Sequence, residues 1–199
     1  MLGPWTRALA AAALLLSAAT ALAQETAKEP AKEPTRIYGL AIPERVGGLV
    51  RGQPVDYETK APGLGYSVRF SGPPGQVVDV YLYDLGLKAI PDDIESGIVK
   101  GQLASAKGDI VELGRRGAYG NVTELDEFSV ADGGKTGFRC ASFSYLRGER
   151  KDVDVSSYVC LTSWRNKFVK IRMTAVKGQL SRSDLTDFVK AWIKLLRPS

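Results

Sequence analysis

Seven cations crowd one stretch of this 199-residue chain, at Arg147, Arg150, Lys151, Arg165, Lys167, Lys170 and Arg172. Guanidinium and ammonium groups gathered in this way suit the capture of an anion, since each donates charge-assisted hydrogen bonds to carboxylate or phosphate oxygens. The wider sequence is biased in the same direction. Residues 135–199 hold 14 Lys/Arg against 5 Asp/Glu, whereas residues 24–134 hold 12 against 17. Lys170 and Arg172 alternate with Val169, Ile171 and Met173, so a strand would present both cations on one face. Arg147, Arg150 and Lys151 surround one expected hairpin turn, and Arg165 and Lys167 the next. Alternate hairpin turns usually fall at opposite ends of a sheet, so the sequence leaves open whether these cations form one patch. Trp164 and Phe168 flank the second turn, where aromatic rings beside cations also suit core or edge packing. A solvated face with no ligand would show the same composition.

Other chemistries find little support. The chain has no histidine, which removes the commonest general base and metal ligand at neutral pH. Gly133-Gly134-Lys135-Thr136 is similar to the end of a phosphate-binding loop. That pattern needs glycine where Ser129 stands, and a helix where a strand is predicted. It is expected to be a hairpin turn. Nucleophilic-serine patterns are missing, and Asp152-Val153-Asp154 lacks the glycine and distal glutamate of a calcium loop. Asn121-Val122-Thr123 is a glycosylation sequon, taken here as chance. Asp92 and Asp93, or Glu124, Asp126 and Glu127, supply the residue types for paired-carboxylate hydrolysis. The first pair is better explained as a helix start and the second group as an exposed strand or loop. No catalytic residues, cofactor or metal are therefore expected, and a carboxylate hydrolase ranks last among the functions.

The two cysteines carry the sharpest local inference. A hairpin centred on residue 150 pairs Cys140 directly with Cys160. Directly opposed residues on antiparallel strands bring their Cα atoms within disulfide range. A disulfide is thus predicted, with a structural role, because no C-x-x-C pattern supports redox chemistry.

The N-terminus points to a compartment where that bond would persist. Arg7 precedes an apolar run, Ala8 to Leu22, which leads into Ala21-Leu22-Ala23, the small-x-small pattern of a signal-peptidase site. The run is shorter than the roughly 20 residues of a membrane-spanning helix. Residues 1–23 are therefore expected to be a cleaved Sec-type signal, leaving no transmembrane span, with the mature protein periplasmic or secreted. Residues 24–36, with Ala-Lys-Glu-Pro twice, read as a disordered linker, since proline every fourth residue prevents a helix and there is little apolar surface to bury. Residues 37–199 are expected to form a single globular domain.

The elements that would position these groups follow from periodicity. Alternation predicts strands at 66–70, 77–83, 122–130, 138–147, 153–164 and 168–174, with an irregular extended segment over 46–58. After Pro91, Asp92 and Asp93, the spacing of Ile94, Ile98, Leu103, Ala106, Ile110 and Leu113 predicts a helix with the aspartates at its start. Gly97, Gly101, Ser105 and Gly108 form a line of small residues on it, which suggests close approach to the sheet or, alternatively, a ligand groove. A last helix is predicted from Asp184 to Leu196, buried through Leu185, Phe188, Val189, Trp192 and Leu196, with Ser181 and Asp184 at capping-box spacing. The fold class is α+β. An antiparallel sheet of about six to seven strands carries a long helix after the third strand and a C-terminal helix packed on it.

Around Arg139-Cys140-Ala141-Ser142-Phe143 the chain resembles small exported proteins of proteobacteria. In element order it is distantly similar to the PsbP-like α+β sandwich. That resemblance implies a binding or accessory module and transfers no site residues. The expected function is a non-enzymatic binding or accessory module of the cell envelope, with an envelope protein or cell-wall component as partner. The alternative is a binder of an anionic lipid or polymer through the basic C-terminal surface. Nucleic acid is not an expected partner.

Overall fold

The computed structural model describes residues 35–72, 75–133 and 137–197. The expected signal segment, the linker up to residue 34, and Gly134, Lys135 and Thr136 lie outside the described residues. Arg36 and Ile37 pair with Ala41 and Leu40.

Among the described residues, ten strands and two helices follow one another. The strands β1 (Arg36–Ile37), β2 (Leu40–Ala41) and β3 (Arg45–Val46) are only two residues long. The longer β4 (Leu49–Asp56), β5 (Tyr66–Ser71) and β6 (Val77–Tyr83) lead into α1 (Gly97–Arg115). Then come β7 (Gly120–Ala131), β8 (Gly137–Arg147), β9 (Val153–Trp164), β10 (Lys167–Val176) and α2 (Arg182–Leu196). β1 and β2 form a small ribbon, and the other eight strands form one antiparallel sheet in the order β3-β4-β5-β6-β10-β9-β8-β7. The α+β class and the antiparallel sheet are as expected. The strand count is not: β3 raises the sheet to eight, because a two-residue strand carries no periodicity to detect. The long helix follows the third strand of ordinary length, which is the sixth when the short ones are counted.

Alternation sends successive residues of each strand to opposite faces. One face, with Val68, Phe70, Val78, Val80, Leu82, Val169, Ile171 and Met173, packs under α2. The ribbon residues Ile37 and Leu40, with Ile42, join the same core. The Ser181 hydroxyl accepts from the Asp184 amide while the Asp184 carboxylate accepts from the Ser181 amide, so the predicted capping box is formed. Phe70 meets Phe188 and Trp192 edge-on, with ring centroids 5.6 and 6.3 Å away. The buried pair Cys140 and Cys160 lies in this core, directly opposed across β8 and β9 and joined by a disulfide.

The other face is only partly covered. α1 packs on β9, β7 and β8, burying Val99, Leu103, Ala106 and Ile110 against Ala141, Phe143, Val159 and Leu161. Its details correct the sequence reading in two places. Ser96 caps the helix and its first turn holds no acid, so Asp92, Asp93 and Ile94 precede it, and Ile98 is exposed. Gly97, Gly101 and Gly108 look into open space and mediate no close approach to the sheet. The helix is short of apolar residues, and Val99, which the expected stripe omitted, is what anchors its first turn. α1 also reaches β6, where Gln102 donates to the Tyr83 hydroxyl, but much of the face made by β5, β6 and β10 opens into two cavities.

Candidate functional site

The open part of this face is floored by polar and aromatic residues in a defined register. On β10, Lys170 and Arg172 share the parity of buried Phe168, and Val169 and Ile171 turn to the α2 core. Across the β6–β10 pair, Lys170 lies opposite Tyr81 and Arg172 opposite Asp79. Asp79 is also the register partner of Arg69 on β5. One carboxylate thus stands between two guanidiniums, and the bidentate pair goes to Arg69, at 2.7 and 3.1 Å. Arg172 turns the other way and donates to the Tyr145 hydroxyl at 3.3 Å.

Around Arg172 is a cavity of about 480 Å³ lined by Arg69, Asp79, Tyr81, Tyr119, Tyr145 and Arg147, among others. Tyr119, from the turn between α1 and β7, stacks on Tyr145 with ring centroids 4.2 Å apart. Burial pushes the Tyr119 phenol up, and its neighbour Tyr145 adds to that. Burial acts on Tyr145 in the same direction, but the Arg172 charge and hydrogen bonds from Ser157, Arg172 and Thr174 outweigh it, holding this phenol below its ordinary value. Arg172 and Arg147 can grip an anionic oxygen, while the stacked rings offer a flat apolar wall.

Tyr81 also lines a second cavity of about 350 Å³, with Tyr57, Leu64, Tyr83, Leu85, Gln102, Ser105, Asp109 and Lys170. The Lys170 ammonium sits over the Tyr81 ring, 4.5 Å from its centroid, and 5.5 Å from that of Tyr83. Burial lowers the Lys170 pKa; Asp109 partly opposes this and Arg172 adds to it. Burial pushes Tyr83 up to about 12, and its hydroxyl accepts from the Gln102 amide at 3.0 Å. The outer wall depends on glycine. Gly65, at φ +63°, lies against the Leu82 carbonyl so closely that any Cβ would collide with it. Its amide donates to Glu58 at 2.7 Å, and this turn places Leu64 in the same cavity wall as Leu85, both almost half exposed.

The seven sequence-selected cations therefore separate. Lys170, Arg172 and Arg147 line this groove. Arg165 lies over the Trp164 ring at 4.9 Å, and Lys167 pairs with Asp84 and sits over Tyr38. Arg150 faces Asp152 at 3.5 Å in the β8–β9 turn, and Lys151 adopts a positive φ there with its stem against Gly120. Arg165, Lys167, Arg150 and Lys151 line neither cavity, so the candidate surface is smaller than the sequence suggests. Sequence reasoning missed Arg69, Asp79, Tyr81, Tyr119 and Tyr145. The alternation of Tyr81 and Tyr83 with apolar residues on β6 was the one local signal that could have found part of the set.

The carboxylates considered for hydrolysis are engaged elsewhere or line neither cavity. Lys107 pairs with both Glu124 and Glu127, and Asp126 accepts from Ser142 and pairs with Arg182. Among the described residues, no group of His, Cys, Asp and Glu could hold a metal ion. No helix among them is long and apolar enough to cross a membrane.

No protein-family model matches the chain, and no curated protein matches it. Among solved structures it is similar to the solution structure of cyanobacterial PsbP from Synechocystis sp. PCC 6803, at 13% identity. The likeness covers 75% of this chain and 79% of that one, with a TM-score of 0.41. The expected likeness in element order to the PsbP-like fold is thus found, and it carries nothing about ligand or partner.

Proposed function

We propose that the domain is an exported, non-enzymatic binding module whose ligand is an anion seated at Arg172. The observation that carries this is the unequal sharing of Asp79. Two arginines flank one carboxylate, and the one left over projects into a cavity between tyrosines. A half-buried guanidinium with no carboxylate partner keeps hydrogen-bond donors that an anion can satisfy. The disulfide supports the exported part of the reading, since such bonds persist in oxidising compartments.

Phenyl phosphate, which combines a compact anion with a flat ring, is a suitable probe. Calorimetric titration should show saturable binding that weakens with ionic strength, and Arg172→Gln should reduce affinity by about tenfold or more, the loss of one charge-assisted contact. Arg165→Gln and Arg150→Gln should bind like wild type. Flotation with anionic vesicles in parallel separates a free anion from a lipid headgroup as its source. Equal binding by wild type and Arg172→Gln would remove this site.

A further inference from the structure

On the α1 side of the sheet, cations are matched to carboxylates almost throughout. Arg69 has Asp79, Lys107 has Glu124 and Glu127, and Arg139 has Glu95. Among the described residues, Lys170 and Arg172 have no carboxylate oxygen within 4.0 Å, and neither does Arg147 at the strand end. Lys170 and Arg172 are adjacent on one face of one strand, so their Cα atoms are about 7 Å apart from the rise per residue. Their heads diverge. The ammonium leans over Tyr81 and toward Tyr83, while the guanidinium reaches Tyr145. Each opens into its own cavity, and Tyr81 belongs to both walls.

We propose that the groove takes a two-headed acid, one anionic group at Arg172 and a second at Lys170, with the segment between them lying across Tyr81. This rests on the anion-binding reading of the Arg172 cavity and adds a second subsite to it. Two unmatched cations on one face call for two negative charges, and the aromatic floor between them favours an aliphatic or aromatic spacer over a hydrated one. The exposed Leu64 and Leu85 at the far rim extend that apolar wall. Asp109 lines the Lys170 cavity from α1 and opposes the second head. Its removal should therefore tighten binding.

Suberate and octanoate have the same chain length and differ in the second carboxylate, which makes them the discriminating pair. Calorimetric titration of the wild-type protein should show suberate binding at least tenfold more tightly than octanoate. Lys170→Gln should erase that preference while leaving octanoate affinity in place, Lys170→Arg should keep it, and Asp109→Asn should tighten suberate severalfold. Urea midpoints confirm that each variant is folded. Equal affinities for the two acids, or a preference that survives in Lys170→Gln, would overturn the second subsite. If phenyl phosphate binds in an Arg172-dependent manner while suberate shows no advantage, only the second subsite fails. If none of the three probes binds, the Arg172 reading fails as well.

Discussion

The two faces of the sheet are built from alternate residues of the same strands, yet they behave as different materials. On the α2 face, Val68, Phe70, Val80, Ile171 and the disulfide are fully buried beneath a capped amphipathic helix. On the α1 face, the same β5, β6 and β10 present Arg69, Asp79, Tyr81, Lys170 and Arg172 to a groove. A one-residue alternation therefore separates the stabilising surface from the candidate binding surface. Substitutions should sort accordingly. Those on the α2 face should cost stability, and those on the groove floor should cost affinity with little change in stability.

The largest expected effect tests the first half of that division. Trp192 is fully buried and packs against Phe70 and Phe188. Trp192→Ala should destabilise the domain by about 3–5 kcal/mol through lost burial and a residual cavity, read from urea unfolding. Trp192→Phe should cost less than this. Besides keeping an aromatic ring in place, it removes an indole Nε1 that is buried with no hydrogen-bond partner. A loss below 1 kcal/mol for Trp192→Ala would mean that α2 does not seal this face. Next in size is the cross-link. Cys140 and Cys160 are 20 residues apart in sequence. Replacing both with alanine should lower stability by about 3 kcal/mol through the freed unfolded chain. Phenyl phosphate affinity, measured below the unfolding transition, should be unchanged, because neither cysteine lines the groove.

These differences track what local sequence could reveal. Cys140 opposite Cys160 was legible because hairpin pairing is arithmetic once the turn is located. α2 was legible because an apolar stripe and a cap coincide. α1 was located only approximately: its glycines and Ser105 dilute the stripe, and Asp92 and Asp93 imitate a helix start, four and three residues before the true cap at Ser96. The groove was the least legible. Lys170 and Arg172 could be placed on one face, but Asp79 between two arginines depends on β10 joining β6, a pairing across more than 80 residues of chain. Arg165 and Lys167 were selected for their place at a turn and find intramolecular partners instead.

The smallest expected effect probes the boundary between the two materials. Lys170 lies between the buried Phe168 and Arg172, with Tyr57, Tyr81, Tyr83 and Asp109 around its cavity. Burial holds its pKa below the ordinary 10.5. The folded state therefore binds this proton less tightly than the unfolded state does. Below the folded pKa both states are protonated and the fold carries the full desolvation cost; as pH rises through the folded pKa toward 10.5 that cost is relieved. Lys170→Met keeps most of the side-chain volume without the charge. It should raise stability by about 1 kcal/mol at neutral pH, less whatever the ammonium gains over the tyrosine rings. The gain over wild type should shrink as pH rises, which urea midpoints across the alkaline range would show. A groove residue whose removal stabilises the empty protein is one held in place for something other than folding. If Lys170→Met instead destabilised at every pH, the lysine would belong to the structural half of the sheet, and the division between the faces would move to Arg172.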